Sequence, residues 1–159
     1  MATEIERKFL VTGEGWRQLV TQQTKFRQGY LSSNGKATVR VRSMNDAQAV
    51  LTIKGASRGM SRAEFEYPVP IEDARELLVL AEPHVLEKTR HIVPFGGLTW
   101  EIDVFSGRHA GLVMAEVELA NEDQHVEIPA WIGEEVSDDD RYYNASLSRA
   151  DGPPKPPVR

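Results

Sequence analysis

The stretch KATVRVRSM (residues 36–44), followed after Asn45-Asp46 by AQAVLTIKG (residues 47–55), decides the fold class. In the first run Thr38, Arg40 and Arg42 alternate with Val39 and Val41. In the second, Thr52 and Lys54 alternate with Leu51 and Ile53. Successive side chains on a strand point to opposite faces, so a period of two predicts two strands, each with a polar and an apolar face. Asn45-Asp46 separates the two, and just before them Asn34-Gly35 is a strong two-residue hairpin signal, because both positions tolerate positive φ.

Working outward, the same alternation predicts strands near 3–11, 24–33, 60–69, 84–94, 98–106 and 112–120 besides these two. Asn34-Gly35, Gly55 to Gly59, Gly96-Gly97 and Gly107 to Gly111 punctuate them, as in an antiparallel meander. Helical spacing appears in three places. Trp16, Leu19 and Val20 suggest a helix over 14–22. Ile71, Ala74, Leu77, Leu78 and Ala81, between Pro70 and Pro83, predict one over 71–81. Ser137-Asp138-Asp139-Asp140 reads as a capping box, so a third helix should follow Ser137 with Tyr143 and Leu147 on its buried side. The expected class is mainly β with flanking helices, in a single domain over 1–148. The proline-rich 149–159 reads as a disordered tail.

The polar faces are unusual because they are nearly all charge. Glu4, Glu6 and Lys8 share a face, as do Arg62, Glu64 and Glu66. Lys88 pairs with Arg90, Glu101 with Asp103, and Glu116 with Glu118. An ordinary antiparallel sheet would turn such a face to water. A closed barrel could instead turn it inward. Its apolar exterior would then need cover from the helices and from a homodimer contact. Lining a barrel with charge costs desolvation unless water, metal or ligand compensates it, so a barrel of that kind implies use of its interior.

Composition narrows the chemistry. The 159 residues contain no cysteine, which excludes thiolate metal sites and leaves carboxylates for hard cations such as Mg²⁺ or Mn²⁺. The net charge of −5 argues against a nucleic-acid binder. The opening MATEIERKFL lacks the apolar run of a signal peptide, and no stretch approaches a membrane span, so a cytoplasmic protein is expected.

Glu4-Ile5-Glu6-Arg7-Lys8 matches the ExExK motif of the CYTH superfamily, the triphosphate tunnel metalloenzymes. It is followed in order by Thr38-x-Arg40-x-Arg42, Thr52-x-Lys54, Glu64-x-Glu66, Lys88-x-Arg90, Glu101-x-Asp103 and Glu116-x-Glu118. The chain resembles that family from residue 4 to about 118. The resemblance implies an eight-stranded antiparallel β-barrel with these side chains pointing inward.

It also implies a chemistry. Guanidinium forks and lysine ammonium groups suit a polyanionic triphosphate, which makes Lys8, Arg40, Arg42, Lys54, Arg62, Lys88 and Arg90 the expected substrate-binding set. Acids facing the same cavity call for divalent cations. By the resemblance these are held by Glu4, Glu6, Glu116 and Glu118, with Glu64, Glu66, Glu101 and Asp103 as further contributors. Glu4, Glu6, Glu64 and Glu118 are all candidates for the base that takes the proton of the attacking water, and Tyr30 is placed to tune Lys8. The expected reaction is metal-dependent hydrolysis of tripolyphosphate to pyrophosphate and phosphate, because the charged face offers no site to read a base. Class IV adenylate cyclase and thiamine triphosphatase chemistry, or non-catalytic binding of polyphosphate or a nucleotide, are the alternatives. His84, His91, His109 and His125 lack paired ligand spacing and are expected to be structural or surface residues.

Overall fold

The computed structural model describes residues 2–34, 36–56 and 61–155. Along the chain run β1 (Ala2–Val11), β2 (Gln22–Ser33), β3 (Ala37–Met44), β4 (Gln48–Gly55), β5 (Ser61–Val69), α1 (Ile71–Ala81), β6 (Val85–Phe95), β7 (Leu98–Phe105), β8 (Val113–Glu118), β9 (Ile132–Glu135) and α2 (Asn144–Arg149). The first eight strands pair antiparallel in the cyclic order β1-β5-β4-β3-β2-β6-β7-β8 and back to β1, which closes a barrel. Strand β1 is the seam. Its first half pairs with β5 and its second half with β8, while β9 joins it beside Phe9 and Val11. Among the described residues no helix is long and apolar enough to cross a membrane.

Turn chemistry follows the sequence closely. Asn45 and Asp46 both adopt positive φ between β3 and β4, and Gly96 and Gly97 do the same between β6 and β7. Asn34 Oδ1 accepts from the backbone N–H groups of Lys36 and Ala37 at the β2–β3 turn; Gly35 itself, and residues 57–60 of the expected Gly55–Gly59 turn, lie outside the described residues.

The apolar faces point outward, and the chain itself covers much of them. Helix α1 lies across β2, β3 and β4 and buries Ala74 and Leu78 against Val41 and Ala49, with Ala81 over Gly29. On the other side Phe9, Trp100, Ile102, Ala115 and Val117 pack under Trp16, Val126 and Trp131. The Trp100 and Trp131 rings meet nearly edge to face at 5.7 Å. Each fully buried side chain of this size contributes about 1.5–3 kcal/mol in apolar transfer alone. On the outer face of β5, Phe65 and Tyr67 remain 37 % and 53 % exposed.

Two expectations need correction. The helix over 14–22 is only a 3₁₀ turn at Arg17–Leu19. Three apolar positions do not outweigh nucleation cost, and the backbone N–H of Thr21 already donates to Ile92 beside the sheet. No helix starts at Ser137 either. Its hydroxyl accepts from the backbone N–H of Lys8, so it ties β1 instead of capping. Asp139 caps a 3₁₀ turn at Asp140–Tyr142, and α2 begins at Asn144. Tyr143 therefore lies outside the apolar core, whereas Leu147 is buried as expected. Two backbone carbonyls in residues 150–155 accept side-chain hydrogen bonds. Arg108 Nε donates to the Ala150 carbonyl at 2.8 Å, and the Tyr142 hydroxyl donates to that of Lys155 at 3.3 Å. Residues 156–159 lie outside the described residues.

Candidate functional site

With much of the apolar faces covered from outside, the charged faces enclose a cavity of about 590 Å³. Strand β1 contributes Glu4, Glu6 and Lys8; β2 Tyr30; β3 Arg40 and Arg42; β4 Lys54; β5 Arg62, Glu64 and Glu66; β6 Arg90; β7 Glu101; and β8 Glu116 and Glu118. At one end the interior turns apolar. There Leu86 and Met114 pack with Phe105, Val136, Tyr142 and Leu147, so α2 lies across that end. The helix and its approach add Tyr143, Asn144, Ser146 and Arg149 to the lining. Sequence reading missed this group, since only the position of a helix across the barrel end brings them to the cavity. It missed β9 as well, because Ile132-Gly-Glu-Glu135 has no alternation to detect.

Cations gather on the β2–β3–β6 wall. The Arg42 and Arg90 guanidinium groups lie 4.3 and 5.2 Å from the Phe26 ring centroid, a cation–π platform that keeps both charges inside. Arg42 Nε donates to Gln28 Oε1 at 2.8 Å, and Arg40 Nη2 to Thr52 Oγ1 at 3.2 Å. Burial, with Arg40 and Arg90 nearby, lowers the Arg42 pKa to about 9, which leaves it charged at neutral pH. Such a wall of crowded, desolvated cations favours a bound polyanion.

The opposite wall is acidic and under-neutralised. Register sets Glu6 directly across from Glu118, and Glu101 across from Glu116. Like charges opposite each other destabilise a sheet. Burial first, then Glu116 and Glu4, push the Glu6 carboxyl up to about 8, and Lys8 offsets this only in part. Glu116 goes the other way: burial would raise it, but Lys8 and Arg90 outweigh that and hold it at about 2. Lys8 Nζ lies 3.7 Å from Glu116 and 5.2 Å from the centroid of the Tyr143 ring. Further round, Lys54 bridges Glu4 at 3.0 Å and Glu64 at 3.5 Å.

Among the described residues no three acidic or histidine side chains converge as a ready-made metal cage. Mg²⁺ does not need one, since it takes one or two carboxylates and fills its remaining positions with water and phosphate oxygens. Glu6 and Glu118, paired across the β1–β8 register and open to the cavity, fit that demand, with Glu116 beside them held by Lys8. Two residues of the expected site stand apart, because neither Lys88 nor Asp103 lines the cavity. They are buried behind it, with Lys88 Nζ donating to Asp103 Oδ2 at 2.7 Å. The histidines stay out of the site; His91 packs edge-on against Trp16, and His109 Nε2 bonds the Leu147 carbonyl.

Comparison with known proteins agrees with this geometry. The CYTH domain matches residues 2–148. An inorganic triphosphatase of Acetivibrio thermocellus is 45 % identical over 148 residues, covering 92 % of this chain and 94 % of that protein. An inorganic triphosphatase of Nitrosomonas europaea is 37 % identical over 151 residues, covering 92 % and 97 %. The crystal structure of the inorganic triphosphatase NE1496 superposes with a TM-score of 0.68 at 33 % identity, covering 94 % of this chain and 97 % of that one.

Proposed function

The chain belongs to the CYTH domain family, and on that premise we propose that it is a triphosphatase that hydrolyses inorganic tripolyphosphate to pyrophosphate and phosphate with Mg²⁺ or Mn²⁺. The observation that carries this reading is the cavity's division into a cationic wall and an under-neutralised acidic strip. A cationic pocket alone would bind a polyphosphate. The acids would serve by holding a divalent cation that neutralises phosphate charge.

In this reading Arg40, Arg42 and Arg90 clamp phosphate oxygens, while Lys8, Lys54 and Arg62 add movable charge. Glu6, Glu116 and Glu118, with Glu4 and Glu101 nearby, hold the metal. When bound, the metal neutralises phosphate charge and acidifies a water. A water attacks the terminal phosphorus, the bridging P–O bond breaks, and pyrophosphate leaves with the bond's electron pair. Glu64 is suited to accept the water's proton. Burial raises its proton affinity above that of a free carboxylate, the direction that favours a general base. Positioning and charge neutralisation supply most of the rate, as in phosphoryl transfer generally.

Purified protein incubated with tripolyphosphate, ATP and thiamine triphosphate, each with Mg²⁺, Mn²⁺ or EDTA, tests the proposal by phosphorus NMR. Metal-dependent conversion of tripolyphosphate to pyrophosphate and phosphate, with ATP turned over far more slowly, is expected. Cyclic AMP and pyrophosphate from ATP, or turnover that survives EDTA, would overturn it.

A further inference from the structure

Lys88 and Asp103 belong to the charged pattern of the barrel interior, yet neither reaches the cavity. The Lys88 side chain is 0 % exposed and that of Asp103 3 %. Both Asp103 oxygens are occupied: Oδ1 accepts from Arg90 Nε at 2.8 Å, and Oδ2 from Arg90 Nη2 at 2.9 Å and Lys88 Nζ at 2.7 Å. Lys88 Nζ also donates to Asn144 Oδ1 at 3.2 Å, at the start of α2, and lies 5.5 Å from the Phe105 ring centroid. Arg90, by contrast, does line the cavity, and its remaining nitrogen Nη1 reaches Glu101 at 3.2 Å.

From this arrangement we infer that Lys88 and Asp103 are positioning residues that touch neither substrate nor metal. Asp103 grips the Arg90 fork from behind in the bidentate geometry that fixes a guanidinium plane. Lys88 neutralises the remaining charge on Asp103 and ties this wall to α2 through Asn144. For Lys88 to hold a phosphate oxygen it would have to abandon a fully buried ion pair, leaving Asp103 with one partner fewer in a dry site, which is costly. For Asp103 to ligate a metal it would have to release the arginine that the substrate needs. Arg90 is thereby presented as a rigid fork, with little side-chain entropy left to lose on binding.

The activity arm of the test rests on the triphosphatase reading. Asp103→Asn should raise KM for tripolyphosphate at least about tenfold, while the Mn²⁺ concentration for half-maximal rate stays within about twofold. In an Arg90→Ala background, Asp103→Asn should add less than about a twofold further change, because its effect passes through Arg90. A roughly tenfold rise in the Mn²⁺ requirement, or equal effects of Asp103→Asn in both backgrounds, would overturn the inference.

A second arm needs neither a variant nor turnover. Reductive dimethylation of the unaltered protein, read by mass spectrometry, should leave Lys88 unmodified with or without tripolyphosphate, while cavity-facing Lys54 reacts and is protected by it. Labelling of Lys88 in the free protein would overturn the inference. Loss of Lys54 protection would instead count against the triphosphate site itself, so the two failures are distinguishable.

Discussion

At the scale of single residues, the site's character comes from two side chains pushed in opposite directions by the same wall. Glu6 is half-buried and Glu116 buried, yet only Glu116 has Lys8 and Arg90 close enough to outweigh desolvation. With its pKa raised from 4.5 to about 8, Glu6 binds more protons in the folded protein than in the unfolded chain between those values. Its contribution to stability is therefore present below about 4.5 and is lost as pH rises towards about 8. In EDTA, the Tm of the wild type should fall relative to Glu6→Gln between about pH 4.5 and about pH 8. Saturating Mn²⁺ should remove that fall, because a bound cation favours the carboxylate. Parallel pH profiles of the two proteins in EDTA would show that Glu6 is not the stressed group.

The charge identity of the site was legible from residue spacing, because a strand's period of two carries its facing with it. Arg40, Arg42, Glu4, Glu6 and Lys8 needed only that rule and the choice of an inward face. Depth behind the wall was not legible. Lys88 and Arg90 read identically in the sequence, and only their partners separate them: Asp103 and Asn144 seal in the first, while the second keeps an edge on the cavity.

At the scale of elements, α1 shows how tightly the exterior is closed. Gly29 on β2 faces the helix, and a Cβ there would lie 2.6 Å from the Ala81 Cβ and 3.3 Å from Leu78 and Val85. No rotamer change relieves a contact with an alanine Cβ, so the helix must move. Gly29→Ala should destabilise the protein by about 1–3 kcal/mol, the usual range for overpacking, measured by urea unfolding. Ala81→Gly introduced into that variant should recover part of the loss. An unchanged urea midpoint in Gly29→Ala would mean that α1 does not sit where this packing puts it.

Helix α1 was legible because five apolar positions between two prolines outweigh any alternative. The 3₁₀ turns and α2 were not. Their ends are set by tertiary partners: Ser137 on the Lys8 backbone, Arg108 on the Ala150 carbonyl and His109 on that of Leu147. Local sequence cannot encode a partner a hundred or more residues away, as Ser137 and Lys8 are.

At the scale of the whole molecule, the barrel is turned inside out relative to an ordinary sheet, with charge within and an apolar exterior, much of which its own helix and loops cover. That inversion costs desolvation and repulsion, seen in the registers Glu6–Glu118 and Glu101–Glu116. A triphosphate with its metal would offset both walls at once, the anion meeting the arginines and the cation meeting the acids. The most direct test of that claim is a crystal structure of the protein with tripolyphosphate and Mn²⁺, the metal located by anomalous scattering. Phosphate oxygens are expected within hydrogen-bond distance of Arg40, Arg42 and Arg90, with an Mn²⁺ ion on Glu6 and its acidic neighbours. Tripolyphosphate bound on the outer surface, with the cavity arginines still on their present partners, would contradict it.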